Sequence, residues 1–125
     1  MNKDNLNWRL PTNDELNHMY ENLHLKGVGG FDNEYYWSSS EVNLWCQAFY
    51  FGSQYDYIMP LIERVRVVRT YKSKEDFEIG QETETGFIFD IQGDTIFECK
   101  KQDEPEKMNW YEAMEEFGGK NENIF

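Results

Sequence analysis

With 125 residues the chain has the length of one domain built around one core. An aromatic content of 17%, spread along the sequence, excludes a disordered chain, because disordered segments lack the rings that fill a core. The formal charge of −12 excludes nucleic acid as a partner, since an acidic surface repels phosphate backbones; it suits calcium, a cationic partner or plain solubility.

The first element in chain order is a helix over residues 13–25. Pro11 sets an extended approach, Thr12 and Glu15 have capping-box spacing, and Leu16, Met19, Tyr20 and Leu23 recur at helical period before Gly27, Gly29 and Gly30 end the run. An aromatic strand follows over 35–40, and a second over 45–51 closed by Gly52 and Ser53. Residues 54–60 read as a tyrosine-bearing loop. Residues 61–71 read as one long strand, with Val65 and Val67 on one face and Arg64 and Arg66 on the other. The polar stretch 72–85 reads as a linker. Strands over 86–91 and 95–99, joined by Gln92-Gly93-Asp94, form a hairpin. A last helix is capped by Asn109 with Glu112. It carries Trp110, Ala113, Met114 and Phe117 on its apolar face and stops at Gly118-Gly119. Two helices with an antiparallel sheet make an α+β domain.

Charge is uneven along this plan. Residues 72–125 hold fifteen acids against six lysines, whereas residues 1–71 hold nine acids against six basic residues. Two cysteines, Cys46 and Cys99, are too few for a disulfide scaffold and lack C-x-x-C spacing; one bridge and two buried thiols are both open. The N-terminus has no apolar core of a signal peptide, so the expected location is the cytosol or a virion. No apolar run reaches the roughly 18 residues of a membrane span, and no membrane partner is expected.

Four segments carry a family resemblance. They are Trp8-Arg9-Leu10-Pro11-Thr12 with Glu15-Leu16, Tyr36-Trp37-Ser38-Ser39-Ser40, Ala48-Phe49-Tyr50-Phe51 and Val65-Arg66-Val67-Val68-Arg69. Together they resemble the domain at the C-terminus of the Legionella collagen-like protein, also met as the Fibrobacter succinogenes major paralogous domain. The resemblance implies a C-type-lectin-like fold and a terminal binding module of bacterial surface or phage proteins.

The order departs from that family. There, a hairpin like 86–90 and a helix like 108–114 precede the Trp-Arg-Leu-Pro segment; here they follow the 65–69 strand. Residues 1–71 thus correspond to the family's C-terminal part, 72–85 to a linker and 86–125 to its N-terminal part. The expected explanations are a circular permutation within a monomer or a domain-swapped homo-oligomer. The linker, reaching roughly 45 Å if extended, allows both.

Most of the residues that invite chemistry read as scaffold. Trp8 and Pro11 suit packing and chain direction, and Arg9 suits a fork onto a carboxylate or main-chain carbonyls. Ser38, Ser39 and Ser40 lack a nucleophile elbow and suit local backbone bonds. His18 and His24 are separated by about 600° of helix rotation, so they share no zinc site. Arg64, Arg66 and Arg69 suit pairing with Glu63 or its sheet neighbours, or less readily an anionic ligand. No Glu-Pro-Asn or Gln-Pro-Asp triplet supports calcium-dependent sugar binding, and Asp103-Glu104-Pro105-Glu106 lies in the turn before the last helix. No cofactor or metal is expected.

The candidate ligand-binding residues are Asn43, Trp45, Gln54, Tyr55, Asp56 and Tyr57, together with Gly52 and Ser53. Tyrosine offers rigid amphipathic contact area beside polar side chains that can hydrogen-bond. The expected function is a noncatalytic module binding a glycan or protein ligand through loops 43–60. The alternative is a structural protein, such as a phage virion or fibre component, that joins subunits by segment exchange.

Overall fold

A computed structural model describes residues 7–40, 45–48, 52, 54–56 and 62–119. Within them the chain folds as α+β, with two helices and antiparallel sheets. The order is α1 (Asn13–Asn22), β1 (Tyr35–Trp37), β2 (Trp45–Ala48), β3 (Gln54–Asp56), β4 (Val68–Lys72), β5 (Gly86–Gln92), β6 (Thr95–Lys100) and α2 (Trp110–Phe117). One three-stranded sheet runs β1-β2-β3 and the other β4-β6-β5.

Both helices start where their caps require. The Thr12 hydroxyl accepts the Glu15 N–H at 3.1 Å, and Glu15 Oε1 accepts the Thr12 N–H at 2.9 Å. Asn109 and Glu112 repeat the device on α2, so two of the donors that open each helix are satisfied. The expected 13–25 helix splits: α1 ends at Asn22, and a 3₁₀ turn over His24–Lys26 closes on Gly27 at φ 74°, a left-handed position that favours glycine.

Two cores result. Leu16 and Met19 of α1 and Leu23 just after it pack with Tyr36, Val68, Phe89, Phe97 and Cys99. Leu10, Trp37, Val65 and Val67 pack with Trp110 and Ala113 of α2. In the second core the two indoles interlock the elements, Trp37 Nε1 donating to the Met108 carbonyl and Trp110 Nε1 to that of Ser38. Each fully buried large side chain stabilises the fold by about 1.5–3 kcal/mol.

The single strand expected over 61–71 is not continuous. β4 begins at Val68, and the preceding residues give their backbone bonds to several partners. The Arg64 N–H donates to Tyr35, while the Val65 and Val67 carbonyls accept from Glu104 and Lys100. This thread crosses between the cores, so Val65, Arg66, Val67 and Val68 are all buried and the expected in–out alternation fails.

Two further expectations change. Residues 54–56, read as loop, form β3, in register with β2. The stretch read as a linker packs against the second sheet: Gly80 donates to the Ile88 carbonyl, Ile88 to that of Gln81, and the Phe77 ring meets Tyr71 edge-on at 6.4 Å. The hairpin and α2 are seated on their own chain. β6 lies between β4 and β5, and the Leu10 N–H donates to the Gly118 carbonyl at 2.8 Å.

Candidate functional site

The expected site centres on β2 and β3. Gln47 is fully buried, its Nε2 donating to Asn17 Oδ1 at 3.0 Å and to the Gly52 carbonyl at 2.9 Å. Gln54 Nε2 donates to Gln47 Oε1 at 2.9 Å and to the Asn13 carbonyl at 2.7 Å. These amides pin the β2–β3 pair onto the start of α1. Gln54 is therefore a mooring residue as well as a predicted contact. The register sets Trp45 opposite Asp56 and Cys46 opposite Tyr55, so with Gln54 four of the predicted residues stand on adjacent strands. Asn43, Ser53 and Tyr57 lie outside the described residues, as do 49–51 and 57–60.

The arginines take partners that the sequence did not offer. Arg64 pairs with Asp32 at 3.2 Å and Glu34 at 3.6 Å rather than with Glu63. Arg66, whose side chain is fully enclosed, pairs with Asp103 at 2.8 Å and donates to the carbonyls of Gly29, Gly30 and Lys100. Its guanidinium also lies 4.0 Å from the Phe31 ring centre. Asp103 accepts from the Tyr36 hydroxyl as well, and burial, reinforced by that carboxylate, holds the Tyr36 phenol protonated. Arg9 forks onto Glu15 at 2.7 and 2.9 Å, the scaffold role its motif suggested.

A second charged group surrounds Glu98. Its carboxylate is wholly buried and accepts from Arg69 Nε at 2.7 Å and from the hydroxyls of Thr83 and Thr85. The Arg69 guanidinium stands 5.4 Å from the Trp8 ring centre and 4.2 Å from that of Tyr71. Beside it opens a cleft of about 420 Å³, lined by Thr85, Lys100, Lys101, Gln102 and Glu104 among others. Burial, opposed by Lys100, raises the Glu104 pKa above the usual carboxylate value. No sequence pattern marks this cleft, because its Thr85 wall comes from the stretch read as a linker.

Cys99 is a free thiol in the first core, so it does not bridge to Cys46, and burial pushes its pKa up to about 11. His18 and His24 part as their spacing implied, one toward Asp90 and the other toward Asn33. Among the described residues, no group of three His, Cys, Asp or Glu side chains is placed to hold a metal ion. No described helix is long and apolar enough to cross a membrane. No known protein family, curated protein or solved structure matches the chain.

Proposed function

We propose that the chain is a noncatalytic binding module with a C-type-lectin-like fold, taking a glycan or protein ligand on the surface formed by residues 43–57. The observation that carries this reading is the amide mooring of β2–β3. Gln47 and Gln54 fix both strands to α1 through part-buried neutral hydrogen bonds, giving the aromatic and polar residues around them a rigid base. Contact residues on short segments held by a rigid scaffold are how binding modules limit the entropy cost of association. The strongest charged groups, Arg9 with Glu15, Arg66 with Asp103 and Arg69 with Glu98, are engaged in internal pairs, which fits a scaffold more readily than acid–base chemistry.

A circular permutation fits the same reading. The end of α2 meets the Trp8–Thr12 segment through the Leu10–Gly118 bond, where an unpermuted chain would run directly from one to the other. The seating of β6 between β4 and β5 of its own chain favours this over segment exchange in a virion or fibre. The test is a glycan and protein binding screen on the full chain, repeated with the Tyr55→Ala, Tyr57→Ala double variant. The expected result is a captured ligand whose affinity falls at least tenfold in the variant, about 1.4 kcal/mol. A ligand held equally by both proteins would remove the 43–57 surface from the account.

A further inference from the structure

Glu98 stands on the second face of the β4-β6-β5 sheet, opposite Arg69 on one side and Ile88 on the other. It is fully buried, as are Ile88 and Ile96. A buried carboxylate–guanidinium pair is costly to desolvate, and replacing both partners together by apolar residues of similar volume is often neutral or stabilising. A purely structural explanation is therefore weak.

The bonds around it have a particular chemistry. Thr85 Oγ1 lies 3.1 and 3.0 Å from the two carboxylate oxygens, and the Thr83 hydroxyl meets one of them. The two hydroxyl oxygens are 3.4 Å apart. Arg69 Nη2 donates to Thr85 Oγ1 at 3.2 Å, so that hydroxyl accepts from a cation while it donates to the carboxylate. Two neighbouring hydroxyls on one carboxylate, one of them also accepting from a guanidinium, form the pattern that a vicinal diol makes on an acid–arginine pair. The segment that supplies them, residues 73–85, also meets the sheet through backbone bonds at Ser73, Gly80, Ile88 and Thr83, the Gly86 N–H donating to Thr83 Oγ1, the Phe77–Tyr71 ring contact and the exposed ion pairs Lys74–Asp94 and Glu82–Lys101. Thr85 also forms one wall of the 420 Å³ cleft, a size within the ordinary range of small-ligand sites.

We propose that residues 73–85 are a lid, and that Thr83 and Thr85 occupy in cis a diol-recognition site made by Glu98 and Arg69. The ligand is a neutral saccharide with vicinal hydroxyls, entering from the cleft and replacing the two threonine hydroxyls. An acidic saccharide is disfavoured by the formal charge of −12. This site is distinct from the 43–57 surface and stands or falls separately from it. Closure of the lid lowers the apparent affinity by the fraction of molecules in which the site is open.

The full chain is titrated with methyl α-mannopyranoside, with cyclohexanol as the single-hydroxyl control, and amide shifts are read by NMR. The saccharide alone is expected to move Arg69, Thr85, Gly86 and Glu98 and to speed amide exchange at Gly80 and Ile88 as the lid lifts. The Thr83→Val, Thr85→Val double variant removes the competing hydroxyls and is expected to bind roughly tenfold more tightly. The Arg69→Met, Glu98→Leu double variant, which leaves no unpaired charge beside Ile88 and Ile96, is expected to stay folded and lose the response. Equal shifts with cyclohexanol, or an unchanged response in the Arg69→Met, Glu98→Leu variant, would overturn the proposal. Should the threonine variant not fold, the exchange rates and the Arg69→Met, Glu98→Leu variant still decide. The Tyr55→Ala, Tyr57→Ala variant is expected to leave this response intact.

Discussion

The β1-β2-β3 sheet is moored to α1 by neutral amides, Gln47 and Gln54 reaching Asn17 and the Asn13 carbonyl. The β4-β6-β5 sheet, by contrast, buries charges: Glu98 with Arg69 on its face and, beside it, Arg66 with Asp103. Neutral amides are cheap to desolvate, and losing one leaves a modest deficit. A buried ion pair contributes little net stability while intact, yet leaves a large penalty when one partner goes. The two sheets should therefore differ less in stability than in their response to single substitutions.

The largest expected effect comes from Asp103→Ala, which strands the enclosed Arg66. It should cost about 3–5 kcal/mol in urea unfolding, and the Arg66→Met, Asp103→Leu pair should recover most of that loss. Gln47→Ala should cost less, roughly 1–3 kcal/mol, by leaving Asn17, Gln54 and the Gly52 carbonyl with unmet bonds. Equal losses from the two single variants would break the contrast between the sheets.

The smallest effect sharpens it at the cleft. Burial raises the Glu104 pKa, so the folded state holds that proton more firmly than the unfolded chain. The group's contribution to stability is then present at low pH and is lost as pH rises from the ordinary carboxylate value through the raised one. Glu104→Gln should accordingly raise the urea midpoint at pH 7, and the gain should fade as the pH is lowered below the usual carboxylate range.

The same contrast explains what the sequence revealed. Capping residues act locally, so Thr12 with Glu15 and Asn109 with Glu112 marked both helix starts. The hairpin was equally legible, since Gly93 sits at φ 64° in the turn between two apolar runs. Glu98 was not. Within Thr95–Lys100 it occupies a position that alternation assigns to solvent, and it is buried because residues 73–85, with no hydrophobic period of their own, cover that face. Arg66 was misassigned for a related reason: the 65–68 thread lies between two cores and has no solvent side. β3 was missed because three residues are too few to show a period, and its strand character comes from pairing with β2. Of the candidate site, the sequence picked out Gln54 and its neighbours, but not the amide bonds that make Gln47 their anchor.

One chain holds its own hairpin and second helix. Native mass by light scattering across a wide concentration range tests this. The expected result is a monomer of 15.0 kDa throughout, matching β6 seated between β4 and β5 of the same chain. A stable dimer or an open-ended assembly at low concentration would contradict it, and would assign residues 86–117 to a neighbouring subunit and the protein to a structural role.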